Sequence, residues 1–480
     1  RAAAIGEVHN DGIADRIDIV LGGEELADTR SIRLMENTGS KFELDAGQSF
    51  DGTAADDLVL GDLDGDGDLD LVVTSESVES YGGRRSYYVY YWYSSSYYYY
   101  KWYYLISEPY MSTRVFLNDG TGSFSFSASS IPKLSSADDD LLTGRALALG
   151  DVDGDNDLDI VVTSQNAPYV STMYKYSTRQ SYSWYYYYYY YTYYQDPTLT
   201  ATRLLTNNGK AGFTNVSPKQ LPSAYSGDLF AGHDVVVGDI DGDGDIDIVV
   251  TGDGDALREP GSYVYVIGSK TRILANDGTG TFTNETGTMM PFASEDDDWG
   301  GRGVGLGDLD GDDTLEIIIT SDRDLTAAGV AASSTRVFKL DEDAGAFTDA
   351  TAAFMPPVRP DGQGEMFKGI AIAVGDPDGN GTDEIFLLYD REVFEEDPNT
   401  GQFTRQVTSL RWLNKVTVLP MRNVSESQLP NPNLTGDFYL GHGIRLGDLD
   451  DDGDLDLVVT TTLSSYNGEG GRPTRVMIFE

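Results

Sequence analysis

One arrangement of apolar and polar positions recurs along the chain. A short apolar run, as in Ala146–Gly150 or Val235–Gly238, leads into a dense acidic loop. A β-branched run follows, such as Ile160–Thr163 or Ile317–Thr320. Next comes a Thr-Arg-apolar segment, TRVFLNDGTGSF from Thr113 and TRILANDGTGTF from Thr271, with looser copies TRLLTNNGKAGF and TRVFKLDEDAGAF. The Asn-Asp-Gly and Gly-Thr-Gly signals predict a hairpin, with a further strand beginning at Phe124, Phe213, Phe282 or Phe347. Helical periodicity is absent over any long window. Each unit therefore predicts four short antiparallel strands.

The acidic phrase fixes the number of units. It reads GDLDGDGDLDLVVTS from Gly61, GDVDGDNDLDIVVTS from Gly150 and GDIDGDGDIDIVVTG from Gly238. It continues as GDLDGDDTLEIIITS from Gly307, GDPDGNGTDEIFLLY from Gly375 and GDLDDDGDLDLVVTT from Gly447, with a worn copy, GEVHNDGIADRIDIV, from Gly6. Successive first acids lie 55, 89, 88, 69, 68 and 72 residues apart, so the second and third units carry insertions. Seven four-stranded units in series predict an all-β, seven-bladed β-propeller, which protects its sheet edges by radial repetition. A single domain over 1–480 is expected, with blades near 1–48, 52–130, 141–218, 229–288, 299–354, 365–418 and 438–480.

Within each loop the acids fall on alternate positions, and such crowding of like charge cannot fold tightly without a cation. A hard divalent ion with flexible oxygen coordination fits, which points to calcium over magnesium or zinc. Side chains at positions one, three and five would ligate, with a main-chain carbonyl at seven and a closing carboxylate at nine. The candidate ligands are Asp62, Asp64, Asp66, Asp68 and Asp70; Asp151, Asp153, Asp155, Asp157 and Asp159; and Asp239, Asp241, Asp243, Asp245 and Asp247. The later loops offer Asp308, Asp310, Asp312, Thr314 and Glu316; Asp376, Asp378, Asn380, Thr382 and Glu384; and Asp448, Asp450, Asp452, Asp454 and Asp456. The first copy offers Glu7, Asp11 and Asp15 around His9, a poor calcium ligand. About six calcium sites are expected, with a seventh weak or empty. Glycine at position four or six permits the turn.

The D-x-D-x-D-G-x-x-D loop followed by β-branched residues resembles the FG-GAP/VCBS repeat, as in integrin alpha-subunit propellers and many bacterial secreted proteins. The resemblance implies calcium loops joining strands one and two of each blade on one face, and ligands engaged on the other. It also implies a mostly adhesive or binding role, with a minority of relatives acting as lyases or carrying fused catalytic domains. The degenerate first copy and two long tyrosine insertions depart from the integrin pattern.

Those insertions occupy 76–112 and 165–200 and hold 26 of the 32 tyrosines. The first contains Tyr87, Tyr88, Tyr90, Tyr91, Trp92, Tyr93, Tyr97, Tyr98, Tyr99, Tyr100 and Trp102. The second runs through Trp184, Tyr185, Tyr186, Tyr187, Tyr188, Tyr189, Tyr190 and Tyr191. Both fall between strands two and three of their blades. Tyrosine favours strands, and Ser94-Ser95-Ser96 reads as a turn, so the first insert predicts a hairpin. An aromatic ribbon with two such faces must bury one of them. It can pack against the other insert, against a second copy in a filament or array, or against pyranose rings.

Composition narrows the function classes. With 33 basic and 79 acidic residues the formal charge is −46, which argues against nucleic acid and anionic membrane surfaces. The seven nine-residue loops hold 33 of those acids, so much of the charge is committed to metal chemistry. Cysteine is absent, excluding disulfides and thiolate sites. No stretch is long and apolar enough for a membrane span. No Ser-His-Asp arrangement, phosphate loop or HExxH occurs, and a non-catalytic extracellular or cell-surface protein is expected, with polysaccharide degradation the less favoured alternative. Six residues before each loop stands a polar position (Asp56, Arg145, His233, Arg302 and His442, with Ile370 the exception) at the expected channel mouth, read as a carbonyl-capping ring in preference to an anion site. Glycosylation sequons stand at Asn215, Asn284, Asn423 and Asn433. The start at Arg1 reads as a mature or trimmed product. After TRVMIFE the last unit lacks a fourth strand, which leaves trimming, a three-stranded blade or completion by a neighbouring chain.

Overall fold

The computed structural model describes the chain outside residues 1, 10–16, 23–31, 40, 46–47, 49, 51–54, 77–79, 94–95, 110–111, 132–138, 166–168, 182–183, 196–198, 224–229, 253–256, 259–264, 267–270, 292–298, 324, 328–329, 359–365, 390–392, 397–402, 408–409, 416–418, 430–440, 451, 463–473 and 480. For the ribbons within 80–109, 169–195, 257–266, 325–331 and 393–407 it describes strand pairing alone.

Six four-stranded antiparallel blades form, each in sequence order. The first consists of Ala2–Gly6, Asp18–Gly22, Ile32–Asn37 and Phe42–Leu44, and the third of Ala146–Gly150, Asp159–Thr163, Arg203–Thr206 and Thr214–Asn215. The expectation of seven four-stranded blades is therefore corrected to six. The last acidic repeat builds a three-stranded sheet of Gly441–Gly447, Asp456–Thr462 and Thr474–Phe479.

The second strand of each four-stranded blade from the second to the sixth is buried at every residue, as in Asp159–Thr163 and Glu316–Thr320. Neighbouring sheets cover both of its faces, which explains a continuous apolar run in place of alternation. Apolar layers fill the gaps between successive sheets; Val20 and Leu34 meet Leu58 and Val73, and Val161 meets Ile248. Ile19, Leu449 and Val458 fill the gap between the three-stranded sheet and the first blade, closing the ring. Each such side chain contributes about 1.5–3 kcal/mol by leaving water.

The Thr-Arg motif locks the second to fifth blades each to the next. Thr202 Oγ1 lies 2.9 Å from Thr163 Oγ1 and donates to the carbonyl of Phe230 at 2.5 Å. Phe230 sits at φ 50°, and Leu142, Trp299 and Phe367 take the same left-handed conformation at equivalent places. Bulky residues adopt it only when held there; Thr113, Thr271 and Thr335 supply the matching hydroxyls. Arg203, 1% exposed, closes on Asp140 at 2.6 and 3.2 Å.

The slot between second and third strands is extended in five blades. The second carries Ser80–Tyr93 paired with Ser96–Pro109, and the third Tyr169–Ser181 paired with Trp184–Gln195. Shorter ribbons, unforeseen in the sequence, fill it in the fourth, fifth and sixth blades, for example Val393–Glu396 with Phe403–Val407. Trp184–Gln195 runs beside Ser80–Tyr93. No helix among the described residues is long and apolar enough to cross a membrane.

Candidate metal centres

Each acidic loop joins the innermost strand of its sheet to the second strand, and a hydrogen-bond pattern specific to each position shapes it. The first carboxylate folds the loop over itself. Asp62 accepts from the amides of Gly65 at 2.8 Å and Gly67 at 3.0 Å, and Asp151 from those of Gly154, Asp155 and Asn156 at 2.9, 3.0 and 2.9 Å. Positions four and six both need positive φ: Gly65 and Gly67 stand at 78° and 93°, Gly154 and Asn156 at 77° and 69°. Asn and Asp tolerate that region, so Asn156 and Asp313 replace glycine at position six.

Position nine is the first residue of the buried second strand. Asp159 is fully buried; its two oxygens accept from the amides of Asn207 at 2.8 Å and Val152 at 3.1 Å. Burial, outweighing those hydrogen bonds, pushes its pKa up to about 7, and likewise raises Asp70 to about 6, Asp247 to about 7 and Glu384 to about 8. Positions one, three and five or nine converge: carboxylate oxygens of Asp62, Asp64 and Asp66 lie within 4.8 Å of one another, as do those of Asp151, Asp153 and Asp159, and of Asp376, Asp378 and Glu384. Asp64 Oδ1, Asp153 Oδ1 and Glu384 Oε2 are buried without any hydrogen-bond donor. Such an oxygen must either keep its proton or, once deprotonated, meet a cation, so these donor sets fit a hard oxygen-seeking ion. Position seven differs: the side chains of Asp68, Asp157 and Asp245 lie against the turn glycines Gly120, Gly209 and Gly278.

The first loop is built differently from its expected reading. Asp18, not Asp15, begins the second strand and takes position nine, accepting from Val8 N at 3.4 Å and Asn37 N at 2.7 Å. His9 Nδ1 lies 2.8 Å from Asp18 Oδ2. Asp11 and Asp15 lie outside the described residues. The signal for Asp18 was present, since Asp-Ile-Val-Leu copies the Asp-Leu-Val-Val that follows the other loops.

A second set of contacts ties the seventh, first, second and third loops to the blade that follows each. Asn118 Nδ2 donates to the carbonyls of Leu69 in its own loop, at 3.2 Å, and Val8 in the preceding one, at 2.9 Å. Asn207 repeats this with Leu158 and Leu63, and Asn276 with Ile246 and Val152. Asn37 reaches back to Leu449 across the ring closure at 2.9 Å. Sequence reading took these asparagines for turn residues alone. Replacing Asn276 with alanine leaves two carbonyls without their donor and is expected to cost about 1–3 kcal/mol, read by urea unfolding, whereas Asn208→Ala on the exposed turn should cost less than about 0.5 kcal/mol.

The inner ends of the strands line a cavity of 310 Å³ on the axis, including Asp56, Arg145, His233, Arg302 and Ile370. The side chain of His442 lies outside the described residues. Arg145 faces Glu76 at 3.8 Å and Arg302 faces Asp322 at 3.4 Å, so these cations already have acidic neighbours. Asp57 and Asp234 bridge neighbouring inner strands through the amides of Leu147 and Val304, and burial pushes Asp234 up to about 6. The sequons have a structural use: Asn215, Asn284 and Asn423 accept from the hydroxyls of Ser217, Thr286 and Ser425 at 2.6–2.7 Å, shaping the turn after the outer strand. Asp349 stands in the same place in the fifth blade, without a sequon, and accepts from the backbone amide of Thr351 at 3.0 Å. Asn433 lies outside the described residues.

Residues 103–162 and 190–250 match the FG-GAP-like repeat, and 143–186 match the FG-GAP repeat. No curated protein matches the chain. Among solved structures, the Vibrio cholerae (V. cholerae) biofilm matrix protein Bap1 is similar at 13% identity and TM-score 0.36, over 100% of this chain and 87% of that one. A 6-phosphogluconolactonase from Bacteroides fragilis, described as putative, is similar at 11% identity and TM-score 0.31, over 85% of this chain and 97% of that one. The chain is a β-propeller, and within it residues 103–186 and 190–250 are similar to FG-GAP repeats.

Proposed function

We propose that this is an extracellular, calcium-stabilised propeller with a non-catalytic adhesive or structural role, assembling with further copies of itself through its tyrosine ribbons. The carrying observation is the pairing of the two long ribbons. Register places Tyr90 opposite Tyr99, Tyr91 opposite Tyr98 and Tyr174 opposite Tyr190, and the second ribbon runs beside the first. Consecutive tyrosines alternate between the faces of a strand. Packing the two ribbons together covers one aromatic face of each and leaves the other for a second copy, at low side-chain entropy cost. The ribbons leave the end of the propeller opposite the acidic loops, so assembly and metal binding do not compete. Most clustered carboxylates belong to those loops, which leaves few for acid–base catalysis.

The test replaces Tyr185–Tyr191 with serine and follows assembly by sedimentation velocity and electron microscopy in calcium. Loss of higher-order species, with unchanged melting, is expected. Unchanged assembly would refute the proposed contact, and loss of binding on a glycan array with assembly intact would assign the ribbons to sugars.

A further inference from the structure

The fifth acidic loop already contains a cation. Its third strand, Thr335–Asp341, carries Lys339 at the register where the second, third and fourth blades have Leu117, Thr206 and Ala275. None of those three residues brings a charge. Lys339 Nζ lies 3.0 and 2.9 Å from the two carboxylate oxygens of Asp310, 2.5 Å from Asp312 Oδ2 and 3.1 Å from Glu316 Oε1. These are positions three, five and nine; Asp310 and Glu316 also converge with Asp308 at position one, as positions one, three and five or nine do in the other loops. From the sixth blade, Lys415 Nζ donates to the main-chain carbonyl of Asp310 at 3.0 Å.

We infer that the fifth loop takes no calcium and that the Lys339 ammonium, held by its own strand, replaces the ion there. This rests on the reading that the complete loops elsewhere bind calcium. Three arguments carry it. An ammonium is a compact charge with three donors, and here it meets four carboxylate oxygens. A calcium ion sits about 2.3–2.6 Å from its oxygen ligands, so it would have to occupy the same space, and two cations so close repel strongly. The buried carboxylate oxygens without a donor lie in the second, third and sixth loops, and none among the described residues belongs to the fifth. A tethered cation also needs no free ion, so this corner of the ring keeps its neutralised form at any calcium concentration.

Native mass spectrometry of the calcium-saturated chain, comparing wild type with Lys339→Met, tests the inference. The variant is expected to bind one calcium more per chain. Lys339→Gln serves as the second variant if the first does not fold. In parallel, reductive methylation of wild type should leave Lys339 equally protected with calcium and with chelator. Equal, non-zero calcium counts in wild type and variant, with Lys339 becoming reactive on adding calcium, would overturn the inference while leaving the wider calcium reading intact. A wild-type chain that binds none would remove both.

Discussion

Stripped of calcium, the protein is expected to melt on the order of 10 °C lower, or more, than in its presence. Each ion that binds only the folded chain adds about 2.7 kcal/mol when free calcium exceeds its Kd about a hundredfold, and several loops together reach on the order of 10 kcal/mol. In a chain of this size each kcal/mol moves the midpoint by roughly 1–2 °C, somewhat less than the ~2–4 °C of smaller domains. The charge chemistry sets the pH dependence. In the metal-free fold, burial holds the position-nine acids up, Asp70 to about 6, Asp159 and Asp247 to about 7, and Glu384 to about 8. A raised folded pKa means the fold binds protons more tightly than the unfolded chain, so this stability is complete below the unfolded pKa of about 4 and is lost as pH rises from there through the folded values of about 6 to 8. Calcium needs the deprotonated carboxylates and acts in the opposite sense. The gap between calcium and chelator is therefore expected to widen from pH 6 to pH 8, as calorimetry would show. Identical melting with and without chelator would remove calcium from the account.

Alanine at Asp159 should cost about 4–5 kcal/mol, against less than about 0.5 kcal/mol at Asp157, two residues away in the same loop. Asp159 holds the amides of Asn207 and Val152, both in buried residues. Each donor left unpaired costs about 1–3 kcal/mol, and the loss of an ion ligand adds to that. The Asp157 side chain lies beside Gly209, and the loop geometry asks only for its backbone. Asp159→Asn keeps one acceptor and should fall between the two. Urea unfolding in calcium gives all three values, and equal costs at 157 and 159 would contradict the assigned positions.

Much of this was legible in the sequence because charge and backbone freedom constrain it so tightly. Alternate acids with glycine between them have few folded solutions, and the fully buried second strand must read as an unbroken apolar run. The unread parts depend on contacts between blades. Asn118 and Asn207 look like turn residues until the preceding loop is placed beside them. Asp18 was hidden because the first loop runs from Glu7 to Asp18, twelve residues, where Asp62 to Asp70 is nine. Lys339 reads as an ordinary exposed strand residue, since only the register against Glu316 shows where its ammonium lands.

The asparagine contacts all point one way. The first four blades each grip the loop of the sheet before them, so those blades and the three-stranded sheet form one linked arc. At the fifth blade Leu340 stands in the asparagine's place and the chain of grips stops. With calcium in those loops, loss of an ion within the arc is expected to loosen the grip of the next blade, as slack passes along a row of clasped hands. The fifth blade stands apart from that relay, because Leu340 offers no side-chain donor to the loop before it.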